Sequence, residues 1–271
     1  MRIGIIGGGV IARLILEHLA RGELGEFDVC AIVGRSSGSR GKPLADRFGV
    51  PFVTGLDALV AQKPQAVVEA ASHDAVREFA APLLERGIAV IILSGGALCD
   101  DALRARLEHL AAAKQAMLYV PSGGIGGLDA LKAVCVAGAD EVEIAVTKPP
   151  AAWQGIPYVE RLGVDLDRLA GATTLFDGTA REGVPHFPAN VNIAAVLSMA
   201  GIGFDRTRLK VVADPALKLN THSISIRGRT GKIAIKLESL PSPDNPKTAM
   251  LACYSALAAL KAFGSPVRYG T

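Results

Sequence analysis

Apolar positions in the first part of the chain fall into two alternating patterns. Short, nearly continuous runs occupy residues 3–6, 29–33, 51–53, 66–70, 89–93 and 117–120. Unbroken runs of this length predict strands of a sheet covered on both faces. Between them the spacing changes to the helical period, with Ile11, Leu14, Ile15 and Leu19 on one face of a first helix. A short helix over 43–48 is stopped by Gly49, and a longer one runs from Ser72, a candidate N-cap, to the stop at Gly87. Asp100 or Asp101 caps another, ending near Lys114. Strand and helix in strict alternation predict an α/β fold, a doubly wound parallel sheet with ligands at the carboxyl ends of its strands.

After Pro121 the pattern changes. The glycine-rich stretch 122–127 precedes a helix over 128–137 and a strand over 141–147 that ends at Lys148-Pro149-Pro150. An irregular stretch through Trp153 and Pro157 follows, then a helix over 190–199 with Ile193, Val196 and Leu197 on one face. Period-two alternation over 221–227 and 232–237, joined by Arg229-Thr230-Gly231, predicts a hairpin. This half therefore reads as α+β. The last element is a helix over 246–263, with Asn245 as N-cap and Pro246 at its first position, returning to pack on the first domain. The expected division is 1–121 with about 241–271 as one domain and 122–240 as the other.

The join between the first strand and helix carries the first chemical signal. Gly7-Gly8-Gly9-Val10-Ile11-Ala12 spells G-x-G-x-x-A directly between strand and helix, the context that a dinucleotide turn of the Rossmann type requires. Gly7 allows the sharp turn, Gly9 leaves room for a pyrophosphate, and Ala12 lets the helix close on the strand. The amides at Val10 and Ile11 then face the phosphates. At the end of the second strand, where Asp or Glu holds the ribose hydroxyls of NAD, the chain has Arg35-Ser36 with Arg40 nearby. A guanidinium there suits a 2′-phosphate, so NADP is expected to be accepted, with NAD also open. Ser72-His73 and 94–97 lie at later strand ends expected to border the nicotinamide half.

Composition narrows the classes. The 271 residues are 50% hydrophobic and 20% charged, with a formal charge of +3. That charge is small and scattered, which argues against a nucleic-acid partner. No apolar run is long enough for a membrane span, and the chain enters a strand at once with no leader, so a cytoplasmic protein is expected. Cys30, Cys99, Cys135 and Cys253 are widely spaced and read as reduced, buried thiols; no Cys/His cluster points to a metal.

In the second half, Asn220 and His222 share a strand face with Ile224 and Ile226, so an otherwise apolar face begins with two polar groups. Such a strand end can line a cleft, or His222 can be a satisfied core histidine. Asn190 and Asn192 stand at a helix start, where an amide caps the helix or reaches a ligand. Lys247 and Thr248 fall in the expected first turn of the last helix, where an anion is welcome, and Lys148 is a weaker candidate of the same kind. His18, His109 and His186 attract less, lying within helices or a proline-flanked loop.

Four blocks taken together, 121–131 (PSGGIGGLDAL), 187–192 (FPANVN), 220–222 (NTH) and 245–248 (NPKT), resemble the L-aspartate dehydrogenase family nearly end to end. The resemblance implies NAD(P)-dependent oxidative deamination of L-aspartate to iminoaspartate, which hydrolyses to oxaloacetate or feeds NAD biosynthesis. It implies His222 as the acid/base group, cofactor contacts at Gly124 and Asn190, a dicarboxylic amino acid as the small-molecule substrate, and a homodimer. Asn192, Asn220, Thr221, Lys247 and Thr248 become candidate substrate contacts. Members of the family usually carry Ala where this chain has Gly124. A cyclic-imine reductase similar to dihydrodipicolinate reductase is the neighbouring alternative, but its paired His-His is absent from this sequence. A catalytically idle dinucleotide-binding protein is the other; it needs no polar strand end.

Overall fold

The computed structural model describes residues 1–188, 190–242, 245–267 and 269, without the side chains of 241 and 245–248. Clustering of the fold gives two compact units, Met1–Pro121 with Cys253–Tyr269, and Ser122–Ala252.

The first unit alternates as its pattern predicts: β1 Arg2–Ile6, α1 Val10–Ala20, β2 Asp28–Gly34, α2 Gly41–Phe48, β3 Phe52–Thr54, α3 Leu56–Ala61, β4 Ala66–Glu69, α4 His73–Glu85, β5 Ala89–Ile92, α5 Asp101–Lys114 and β6 Leu118–Tyr119. The strands are parallel in the order β3-β2-β1-β4-β5-β6, so the order reverses between β1 and β4. A crevice forms at such a reversal, outside the carboxyl ends of the strands. Ser72 caps α4 by accepting from the Ala75 amide, and Asp100 caps α5 by accepting from Ala102 and Leu103. Gly49 ends α2 in the left-handed conformation. Helix α3 has no counterpart in the sequence reading.

The second unit contains α6 Leu128–Ala137, β7 Ala139–Lys148, α7 Pro157–Arg161, β8 Thr173–Thr179, α8 Ala180–Gly183, α9 Asn192–Ala200, β9 Thr207–Ala213, β10 Asn220–Gly228, β11 Gly231–Ser239, β12 Pro241–Ser242 and β13 Asn245–Ala249. Its five-stranded sheet has the order β11-β10-β7-β9-β8, antiparallel except where β7 meets β9. Val142, Ile144 and Val146 of β7, Ile224 and Ile226 of β10, and Leu209 and Val211 of β9 are buried on one face. Helices α6 and α9 pack on these strands, and Leu131, Val134, Ala194 and Leu197 are buried in them. Strands β8 and β9 were not anticipated, although buried Thr207, Leu209 and Val211 are separated by exposed Arg208 and half-buried Lys210.

One expectation is overturned by the last elements. Residues 245–249 form strand β13, antiparallel to β12, and the final helix α10 spans Met250–Phe263. Lys247 and Thr248 therefore do not stand in a helix's first turn, and their side chains lie outside those described. The misreading has a local cause: Asn-Pro matches an N-cap signal but suits an extended strand equally well, because proline disfavours the helical region for the residue before it. Cys253, Ala256, Leu257 and Leu260 of α10 join Ile3, Ile5, Ile15 and Val68 in the first unit's core. That segment of the unit begins at Cys253 rather than near residue 241.

Candidate functional site

In the first unit the glycine turn is shaped by contact as well as by conformation. Gly7 has φ +105°, and a Cβ there would meet the Ala70 carbonyl oxygen at 2.6 Å. Its amide donates to Val33 at 2.9 Å, which ties the turn to β2. Gly8 is pressed against the start of α2, where an added Cβ would lie 2.2 Å from the Gly41 nitrogen; the sequence reading gave this middle glycine no role. Gly9 is different. Nothing lies within 4 Å of a Cβ built on it, so its open side is free for a ligand to approach. Val10 and Ile11 open α1 without a side-chain cap, and the first amides of a helix have no partner within it. A cavity of about 360 Å³ adjoins this turn, lined by Gly7, Gly8, Arg35, Ser39, Arg40 and Ser72 among others. Ser36, an expected contact, is not among its lining residues, and its amide donates to the Ser39 hydroxyl. Gly9, Val10 and Ile11 are not among the lining residues either, but they follow Gly7 and Gly8 directly, and a cavity bordered by that turn and two guanidinium-bearing residues fits a dinucleotide with its phosphates at the head of α1.

Glu69 was hidden inside an apolar run. It ends β4 only 1% exposed, and its carboxylate accepts from the amides of Ala71, Ser72 and Ser94 at 2.8, 2.9 and 3.0 Å and from the Ser94 hydroxyl at 3.0 Å. Burial raises its pKa, against the pull of those hydrogen bonds. It clamps together the two strand-end loops expected to border the cofactor.

The second unit brings its polar residues to one end of the covered sheet face. Thr221 pairs with Thr147 and His222 with Val146, so one further step sets Asn220 across from Lys148. Lys148, Asn220 and His222 thus share the face that Val146, Ile224 and Ile226 make apolar. Alternation turns Thr221 to the opposite face beside Thr147, away from His222. His222 is 2% exposed, and its Nδ1 lies 3.0 Å from the Gly124 carbonyl oxygen. A carbonyl only accepts, so Nδ1 carries the hydrogen and Nε2 keeps its lone pair. Nε2 has no partner among the described residues. Burial first, and the Lys148 charge second, push the His222 pKa down to about 4, so the ring is neutral.

Lys148, the minor candidate, is the buried cation of this site. At 2% exposure its ammonium donates to Asn190 Oδ1 at 3.0 Å and lies 5.3 Å above the Trp153 ring. Desolvation lowers its pKa to about 7. The amide of Asn190 is therefore not a helix cap: α9 starts at Asn192, with Val191 at the cap position and no side-chain cap bond. The turn that carries Asn190 closes through its amide onto the Phe187 carbonyl at 2.9 Å, with Phe187 fully buried against Trp153. Asn192 is half-buried at the head of α9. Strand β13 passes beside the turn Pro150–Trp153 that follows Lys148.

No cluster of potential metal ligands occurs among the described residues, and no described helix is long and apolar enough to cross a membrane. Cys30 and Cys253 are buried and form no disulfide, whereas Cys99 and Cys135 are partly exposed, contrary to the expectation for all four.

Known proteins place this arrangement. The family model for the aspartate dehydrogenase C-terminal region matches residues 129–263, and that for the homoserine dehydrogenase NAD binding domain matches 7–121. The L-aspartate dehydrogenase of Methanosarcina mazei is 42% identical over 273 residues, covering 100% of each chain. L-aspartate dehydrogenase 2 of Bordetella pertussis is 43% identical over 263 residues, 96% of each. The crystal structure of aspartate dehydrogenase from Thermotoga maritima superposes with a TM-score of 0.76 at 30% identity, covering 100% of this chain and 99% of that one. An archaeal homoserine dehydrogenase solved with NADPH shares the fold at a TM-score of 0.60 and 14% identity, over 98% and 99% of the two chains. The cofactor of the first unit is accordingly a nicotinamide dinucleotide. Identity of this order, sustained from end to end, means that the chain belongs to the L-aspartate dehydrogenase family.

Proposed function

We propose that this protein oxidises L-aspartate to iminoaspartate, with hydrolysis to oxaloacetate and ammonia, and runs the reverse amination at the same site. The observation that carries the reading is the buried, neutral His222, whose Nε2 is held as an unprotonated acceptor by the Nδ1 bond to Gly124. The chemistry a nicotinamide dinucleotide supplies when bound is acceptance of hydride from the substrate Cα. Before that carbon can release hydride, the substrate ammonium must lose a proton, and Nε2 is the group positioned to take it. In the free protein a ring with a pKa of about 4 is a weak base. The two carboxylates of aspartate bring negative charge beside it and beside Lys148, which favours the imidazolium and strengthens the base once substrate is bound. After oxidation, once Nε2 has passed that first proton to solvent, it can take another from the water that attacks the imine carbon.

Residues Gly7, Gly9, Val10 and Ile11 are assigned to the pyrophosphate, and Arg35 with Arg40 to a 2′-phosphate, so both NAD and NADP serve. The amide of Asn190, tied to Lys148, is assigned to the cofactor side of the reaction, together with Gly124 and Ser72. We further assign the protein to the cytoplasm as a homodimer whose imino product supplies NAD biosynthesis, on kinship with the family. Reduced-cofactor absorbance tests the reading: L-aspartate with NAD+ or NADP+, and oxaloacetate plus ammonia with the reduced forms, should give turnover far above that with other amino acids. Equal rates with L-alanine, or none with any amino acid, would remove it.

A further inference from the structure

Polar atoms that are buried without a partner are rare in native proteins, because each costs its full desolvation energy. In the second unit several occur on β10 and β12. Asn220 Nδ2, His222 Nε2 and Ser242 Oγ have no hydrogen-bond partner among the described residues, although these residues are only 1%, 2% and 1% exposed. Asn220 opens β10 and pairs with Ser239, the last residue of β11; Ser242 lies three residues beyond Ser239, on β12. His222 shares the face of Asn220, and the buried charged residue of this unit, among those described, is the cation Lys148. Two of the three orphan groups, the Asn220 amide and the Ser242 hydroxyl, are donors, and the third is the base assigned above. Donors left open beside a buried cation describe a seat for an anion with several acceptor oxygens.

We infer that Asn220 and Ser242 are specificity-determining residues that donate to a carboxylate of a small dicarboxylic acid. The inference rests on the reading of His222 as the proton acceptor at this site and names what lies next to it. Thr221 has no part in this seat. Its Oγ1 is also unpartnered among the described residues, but strand alternation puts it on the opposite face. The neighbouring Asn190 accepts from Lys148 through its Oδ1, and its Nδ2 is not among the buried unpartnered donors.

Succinate, a four-carbon dicarboxylate without an amine, tests this without turnover, with butyrate as the monocarboxylate control. Binding is measured calorimetrically on the NAD-saturated protein for wild type, Asn220→Leu and Ser242→Ala, and each protein is also melted without ligand. Each variant should weaken succinate about 10- to 100-fold, the loss expected for one hydrogen bond to a charged group, and leave butyrate nearly unchanged. The unliganded variants should melt no lower than wild type, since each removes a buried polar atom that has no partner among the described residues. Succinate bound equally by wild type and both variants, or variants that melt several degrees lower with succinate affinity intact, would overturn the inference and leave the proposed reaction standing. A wild type that binds succinate no better than butyrate would overturn both.

Discussion

The two units handle buried polarity in opposite ways. In the first, the Glu69 carboxylate is buried and accepts from three backbone amides and a hydroxyl. In the second, Asn220, His222 and Ser242 are buried to the same degree, and an atom of each lacks a partner among the described residues. A completed network inside a protein is structural: its groups are satisfied whether or not a ligand is present. An incomplete one costs stability in the ligand-free protein, and a folded chain keeps that cost where a ligand removes it. Glu69 therefore reads as a brace for the loops beside the cofactor cavity, and the β10 end as the surface on which substrate is handled.

The contrast breaks most severely at His222. His222→Ala removes the one imidazole on that face among the described residues and should lower turnover by ~10²–10⁴ while leaving the dissociation constant for reduced cofactor within about twofold. A stopped assay together with a cofactor fluorescence titration measures both; unchanged turnover would remove the histidine from the mechanism. Glu69→Leu is the converse case. It fills the same space but leaves the Ser94 amide and hydroxyl buried without an acceptor and the part-buried amides of Ala71 and Ser72 without theirs, which should cost about 3 kcal/mol of stability. Because Ala71 and Ser72 border the cavity, cofactor affinity should fall as well. Urea unfolding of the cofactor-free protein reads the first effect, and a stability within 0.5 kcal/mol of wild type, a margin of the order of ordinary surface substitutions, would mean that Glu69 is not a brace.

How far the sequence revealed these sites follows the same division. The first sheet was legible strand by strand because buried parallel strands write unbroken apolar runs, and the Gly7–Gly9 turn announces itself by spacing. Glu69 was not, because a single carboxylate inside the apolar run 66–70 carries no pattern of its own and is absorbed into the strand. In the second unit the alternation of Asn220, His222, Ile224 and Ile226 exposed the polar strand end directly. Lys148 was undervalued because neighbouring prolines marked it as a strand terminus, and only the sheet register shows which face it shares. Ser242 carries no local signal at all. Its burial depends on β12 and β13 pairing, in a segment where Asn-Pro read as a helix start.

Lys148 gives a titration that sharpens the comparison more gently. Its pKa is about 7 in the folded protein against 10.5 for an ordinary lysine, so above pH 7 the ligand-free form loses its charge. A dianion bound beside it favours the ammonium, so binding takes up a proton and dicarboxylate affinity should fall by up to tenfold per pH unit above about pH 7. The unfolded chain holds this proton to higher pH than the native one, so the group's contribution to ligand-free stability rises from pH 7 toward 10.5. Succinate calorimetry in two buffers of different ionisation heat counts the proton. Lys148→Met should abolish the uptake, and a wild type that binds succinate without it would show that the ammonium does not respond to the ligand.

The smallest effect is expected at Gly124, which touches the imidazole from the other side. A Cβ built there meets the His222 Cε1 at 3.5 Å, Ile193 at 3.6 Å and Ala252 at 3.7 Å, all ordinary contacts. Unlike Gly123, with φ +66°, Gly124 is not among the positive-φ glycines, so alanine fits its backbone. Gly124→Ala should therefore gain about 0.4–1 kcal/mol by restricting the unfolded chain. The carbonyl that accepts from Nδ1 belongs to the backbone and survives the change, so turnover and its pH profile should stay as they are. A variant that is more stable but slower would show that the imidazole needs room on its Gly124 side, and that the Nδ1 bond alone does not hold the ring in its working position.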